Sequence, residues 1–198
     1  GARLRRLSPV IEGSALPSQA AVFYDFQTRW YLETSCESTG SPWLGPRDLF
    51  LARAIAAYRA LRAQGLNVDA VGREADLSGY RLLVVPLLPS VDDALAERLC
   101  AFVRNGGRLV WHPYSGFCDR DACIYPRRLH PMLEELLGVR IDDYVALRPD
   151  ETPGFEWHGR PFKGGLFADL VEPTTARACA QYTEGWMAGR PAVTERRV

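Results

Sequence analysis

No stretch of this chain stays apolar for the roughly 20 residues that a helical bilayer span requires, so no membrane segment is expected. Charge of neither sign is in excess: 24 Lys and Arg stand against 24 Asp and Glu, which leaves nothing to draw the chain to nucleic acid or to an anionic membrane surface. No Gly-x-Gly-x-x-Gly follows a strand-like run and no phosphate loop occurs anywhere, which disfavours nucleotide and dinucleotide binding. The basic start, Gly1-Ala2-Arg3-Leu4-Arg5-Arg6-Leu7, has no long apolar core behind it and is no signal peptide. The 5 cysteines are odd in number and irregular in spacing, which excludes a disulfide framework and points to reduced thiols in a cytoplasmic protein. There is no initiator methionine, so the chain is expected to be a piece of something longer. Its 198 residues, 47% of them hydrophobic, suit one well-filled globular domain.

What is present is a βα alternation. Residues 1–19 read as a connecting segment. Ala20-Ala21-Val22-Phe23-Tyr24-Asp25-Phe26 is a short apolar run after Pro17 and Ser18, expected to be a strand buried on both faces near the middle of a sheet. An irregular loop is expected from Thr34 to Pro46, with Trp43 among glycines and prolines. Pro46 and Asp48 open a helix with Leu51, Ala54, Ile55, Tyr58 and Leu61 on one face, and Gly65 closes it. Asn67 to Val71 and Arg81 to Leu88 follow as strands. Ser90 and Asp93 form an expected capping box for a helix with Leu95, Leu99, Phe102 and Val103 inward. After Gly106-Gly107, Arg108 to His112 is the fourth strand. Crossovers too long for hairpins require a parallel sheet. The predicted fold is therefore α/β and doubly wound, flavodoxin-like, with helices on both faces.

Past His112 the pattern loosens. A loop over 113–128, a short helix from Pro131 to Leu137 stopped by Gly138, and a strand from Val139 to Leu147 are expected. His158-Gly159 reads as a turn between Phe155 to Trp157 and Phe162 to Lys163. Gly165 to Val171, Ala176 to Tyr182 and Pro191 to Thr194 are expected to be extended, which makes an antiparallel extension near the carboxyl terminus. The stop at Val198 without a closing element reads as truncation.

Doubly wound folds place their sites at the carboxyl edge of the sheet. After the first strand that edge receives Asp25, Gln27, Arg29, Trp30, Tyr31 and Glu33, a mixture suited to a protein interface or a sugar-stacking platform, with Trp43 in the loop beyond. At the fourth strand, class I glutamine amidotransferases of similar architecture carry a nucleophilic cysteine on a sharp turn into a helix. Here Trp111-His112-Pro113-Tyr114-Ser115-Gly116 is bulky where small residues are needed, and a loop follows. Ser115 with His112 as base lacks an orienting third group. His112, Cys118, Asp119, Asp121 and Cys123 are metal-ligand types, yet the spacing is looser than the paired Cys-x₂₋₄-Cys of zinc sites. His130 and His158 read as structural, and Glu33, Glu37 and Glu156 show no fixed separation in a cleft. Neither a metal nor a cofactor is expected.

Taken together, the residues resemble the middle domain of β-galactosidases of glycoside hydrolase family 42. The features shared are Leu4-Arg5-Arg6-Leu7-Ser8-Pro9-Val10 with Gly13-Ser14, Val22-Phe23-Tyr24-Asp25-Phe26 with Trp30, Leu32 and Glu33, and Tyr58-Arg59-Ala60-Leu61 leading to Gly65. Val68-Asp69, Ala75-Asp76-Leu77-Ser78-Gly79-Tyr80, Leu95-Ala96-Glu97-Arg98-Leu99, Phe102-Val103, Gly106-Gly107 and Ser115-Gly116 continue the series. It ends with Leu136-Leu137-Gly138-Val139, Tyr182, Gly185 and Ala188-Gly189-Arg190-Pro191-Ala192-Val193-Thr194. The departures are Arg29-Trp30-Tyr31 where the family commonly has paired tryptophans, and an end before its closing strand. The resemblance implies a homotrimerisation domain over 20–198 with a glutamine-amidotransferase-like fold that has lost the nucleophile, preceded over 1–19 by a linker from a catalytic (β/α)₈ barrel. That barrel carries the two catalytic glutamates that act on galactosides, and any cysteine-bound zinc. Asp25, Arg29, Trp30, Tyr31, Glu33 and Trp43 are then the expected interface or active-site rim. The alternatives are a stand-alone hydrolase using His112 and Ser115, and a carbohydrate-binding module using the aromatics.

Overall fold

The computed structural model describes residues 2–14, 16–38 and 49–198. Four short strands, β1 (Ala20–Phe23), β2 (Val68–Val71), β3 (Leu82–Val85) and β4 (Arg108–Trp111), form one sheet in the order β2-β1-β3-β4. Every pairing in it is parallel. The registers align side chains in cross-strand rows: Ala70, Val22, Val84 and Val110 form one, and Val68, Ala20, Leu82 and Arg108 the next. Such a sheet must be covered on both faces because each strand alternates two apolar sides.

One face is covered by α4 (Asp93–Arg104) and α5 (Pro131–Leu137). Leu95, Ala96, Leu99, Cys100 and Phe102 of α4, with Leu133 and Leu136 of α5, meet Ala21, Phe23, Leu83 and Val85 in the largest core cluster. The other face is covered by α3 (Leu49–Ala63), whose Ala54, Ala57 and Leu61 pack on Ala20, Val22, Val68 and Val84. The antiparallel extension is present as expected. It pairs β5 (Val139–Ala146) with β8 (Phe167–Pro173), β6 (Gly154–Trp157) with β7 (Arg160–Lys163), and β9 (Arg177–Gln181) with β10 (Pro191–Glu195). Its own small core holds Leu147, Ala168, Tyr182 and Met187.

Two local expectations are corrected. The first strand ends at Phe23, and α2 (Phe26–Ser38) occupies what read as its continuation and the opening of a loop. Asp25 accepts a hydrogen bond from the Thr28 N–H, a side-chain cap that starts a helix there. The cap of α4 is Asp92, whose carboxylate accepts from the Leu95 N–H at 2.9 Å, rather than Ser90. Within the expected connection, residues 2–11 form helix α1 (Ala2–Ile11) with Pro9 inside it. Pro46, Asp48 and Trp43 lie outside the described residues. Other punctuation agrees: Gly65 and Gly138 take left-handed backbone at the ends of α3 and α5, as do His158 and Gly159 between β6 and β7.

Candidate functional site

At the end of β1 the residues expected to form one surface separate into a buried part and an exposed part. Asp25, 8% exposed, accepts from the Thr28 N–H at 2.6 Å and the Thr28 hydroxyl at 3.0 Å. Its carboxylate also stands 3.3 Å from Nε of Arg73, itself 7% exposed. Arg73 donates through Nη2 to the Ser90 carbonyl at 2.6 Å. The group ties the start of α2 to the residues after β2 and to the approach to α4. Buried charges persist only when paired and hydrogen-bonded, and here each arm of the pair joins two elements.

The neighbours on α2 look outward in part. Trp30 is 62% exposed and Phe26 59%, one helical turn apart with ring centroids 6.2 Å apart. Arg29 and Tyr31 are half-buried. The Tyr31 ring meets Phe117 edge-on at 6.4 Å, and its hydroxyl is hydrogen-bonded to the Cys118 thiol. Glu33 lies on the same helix. Phe26, Thr28 and Arg73 are additions that sequence reading missed. Asp25 ahead of Thr28 is an N-cap signature that could have exposed the first two; nothing local marks Arg73.

After β4 the chain does turn sharply. Tyr114 has φ 61° and Gly116 φ 76°, so the left-handed turn falls on the bulky residue itself. The Tyr114 N–H donates to Oδ1 of Asp169 at 3.0 Å. Its ring stacks on Phe167 at 4.1 Å and 8°, with Phe117 and Tyr144 beside it at 4.6 and 5.0 Å. Tyr144 and Phe167 belong to the extension, so its rings lie against the turn. Burial pushes the Asp169 carboxyl up to about 7, opposed by the Tyr114 hydrogen bond. Ser115 is buried and its hydroxyl accepts from the Leu88 N–H at 2.9 Å. His112 stands beside Arg53, and the crowding of protein around it, then that charge, lower its pKa. Ser115 therefore serves the backbone of the adjoining strand, an arrangement unlike a nucleophile held by its base.

The loop after the turn is organised by its own backbone. Oδ1 of Asp119 accepts from the N–H groups of Asp121 and Cys123, both at 2.9 Å. Cys118 is fully buried, and burial pushes its thiol up to about 11. Among the described residues, no three or more His, Cys, Asp or Glu side chains come together to hold a metal ion. His130 caps α5, accepting at Nδ1 from the Met132 N–H, and its Nε2 meets Asp93 at 3.0 Å. Ring-nitrogen roles follow from these partners: Nε2 carries the proton and donates to the carboxylate.

These features define a doubly wound α/β domain in which the turn after β4 carries a half-buried tyrosine stacked on rings of the antiparallel extension. The family model of the β-galactosidase trimerisation domain matches residues 18–198, and the chain belongs to that family. It is 30% identical over 194 residues to β-galactosidase GanA of Bacillus subtilis, covering 98% of this chain and 28% of that protein. To β-galactosidase BglY of Alicyclobacillus acidocaldarius it is 31% identical over 208 residues, covering 100% and 29%. The structure of a β-galactosidase from Bacillus circulans sp. alkalophilus superposes with a TM-score of 0.83 at 26% identity, over 98% of this chain and 29% of that one. The chain thus spans less than a third of the length of the relatives it matches.

Proposed function

We propose that this chain is the non-catalytic assembly domain of a cytoplasmic β-galactosidase, which holds three copies together while a (β/α)₈ barrel outside the chain hydrolyses terminal β-D-galactosides. The observation that carries this reading is the match of the trimerisation-domain family over residues 18–198 in a chain that covers only 28% of GanA and 29% of BglY. The geometry after β4 supports it, since Tyr114 at the turn is stacked on Phe167 beside Phe117 and the Ser115 hydroxyl accepts from the Leu88 N–H. The residues proposed to meet a neighbour or the rim of a barrel are Arg29, Trp30, Tyr31 and Glu33 of α2, with Asp25 anchoring the start of that helix; Trp43 belongs to the same proposal. Free thiols at Cys100, Cys118, Cys123 and Cys179 suit a reducing compartment, and among the described residues no helix is long and apolar enough to cross a membrane.

The test is the solution mass of the chain by light scattering coupled to size exclusion across a concentration series. A mass of three chains is expected. A strict single-chain mass at every concentration defeats the reading.

A further inference from the structure

The sheet is covered unevenly. On the face that α3 packs against, Val22 and Val84 are buried, and Val110, next in the same cross-strand row, is 42% exposed. Arg108, next in the row below, is exposed as well. Among the described residues no helix lies over β4 on this face: α3 sits on β1 and β2, and the chain after β4 goes to α5 on the opposite face. A parallel strand with one side bare is unusual, because such sheets are ordinarily enclosed on both faces. The result is a strip of β4 at the sheet edge in which exposed Val110 stands between Arg108 and His112, with Arg53 of α3 beside His112. A different exposed apolar group is the Phe26–Trp30 pair, a ridge of two aromatic rings one helical turn apart on α2.

We propose that in the assembled protein the Phe26–Trp30 ridge of one copy seats on the β4 strip of the next copy. This rests on the assembly reading above and names the contact within it. A ring of three related by rotation closes only if two different patches of each subunit meet, whereas a patch that meets itself makes pairs. These two places are unlike: one is a pair of exposed aromatic rings, the other an exposed valine flanked by basic groups. They are also chemically matched. An indole from the ridge would cover Val110 while its face is open to the guanidinium groups of Arg53 and Arg108, the geometry that cation–π attraction favours.

The experiment compares the full chain with Trp30→Glu and Val110→Glu, alone and mixed, by light scattering, with circular dichroism and melting as the check of folding. The unsubstituted chain is expected at three copies and each variant at one, with the spectrum unchanged. An equimolar mixture is expected at two copies, because a pair drawn from the two variants keeps one intact ridge and one intact strip. Should Val110→Glu fail to fold, Val110→Thr serves in its place and is expected to raise the dissociation concentration by about tenfold or more. A trimer that survives either Glu variant, or a mixture that stays at single-chain mass, overturns this contact and leaves the assembly reading standing. A single-chain mass for the unsubstituted protein overturns both.

Discussion

The ends of β1 and β4 lie on the same edge of the sheet, and each meets a carboxylate that accepts from a backbone N–H, but the surroundings treat the two in opposite ways. Asp25 accepts two hydrogen bonds from Thr28 and faces the guanidinium of Arg73. Asp169 accepts from the Tyr114 N–H among aromatic rings, and burial pushes its carboxyl up to about 7. A countercharge lets the first serve as a permanent tie between three elements. The second has a neutral donor and an apolar shell, so near neutral pH it holds a proton that a free aspartate would have lost. The edge that binds ligands in other doubly wound folds is thus closed at one strand by an ion pair and at another by a stack of rings.

The largest effect is expected from breaking the ion pair unevenly. Arg73→Met leaves Asp25 buried beside no cation and is expected to cost about 3–5 kcal/mol of stability in denaturant unfolding. Asp25→Asn combined with Arg73→Met is expected to recover most of that loss, since no charge is then stranded. Equal losses in the single and double variants would mean that Arg73 acts by packing alone and that the two ends of the sheet do not differ as argued.

The second effect is a pH dependence of opposite origin. Because the folded pKa of Asp169 lies above that of the unfolded chain, its contribution is fully present below about pH 4. It is lost as pH rises toward 7, where the folded carboxyl finally ionises. The loss across that window is expected on the order of 3 kcal/mol. Asp169→Asn, which keeps an acceptor for Tyr114, is expected to flatten it. Melting temperatures taken from pH 4 to 8 decide the matter, and a variant that keeps the parent's slope would remove Asp169 from the account.

Much of this architecture was legible because it is locally written. The β-rich runs at Ala20 and Leu82, the glycines after α3, α4 and α5, and the His158-Gly159 turn all carry their signals within a few residues. Helix α2 was not legible, because its apolar residues do not fall on one side: Leu32 is buried while Phe26 and Trp30 are exposed. That scatter imitates an aromatic strand running into a loop. Of the expected rim the structure reports exposure and contacts alone. Trp30 is at the surface, and Asp25, grouped with it, is a cap and an ion-pair partner. The residues that decide the chemistry lie far apart in sequence, with Arg73 48 positions from Asp25 and Asp169 55 from Tyr114. No periodicity reports such pairings.

A smaller effect is expected at Ser115, between the two ends. Ser115→Ala strips the acceptor from a buried Leu88 N–H and is expected to cost about 1–2 kcal/mol. It should leave any hydrolysis of a galactoside by the intact protein untouched. A loss of hydrolysis without loss of stability would restore the serine as a nucleophile and undo the contrast drawn at β4.

The smallest effect leaves stability alone and repeats the comparison in the thiols of the loop after β4. Cys118 is fully buried against Tyr31 and Phe117, with its thiol pushed up to about 11, whereas Cys123, five residues on, is exposed. At pH 8 a thiol of that pKa is ionised to only about one part in a thousand, and only the thiolate attacks an alkylating reagent. Iodoacetamide followed by peptide mass mapping should therefore label Cys123 in the folded protein and reach Cys118 only when urea opens the domain. Labelling of Cys118 at a comparable rate under native conditions would show that the ring cluster opens readily. The closed turn at Tyr114 would then be a state the chain leaves often, and the contrast with the ion-paired end of β1 would be one of dynamics as well as of charge.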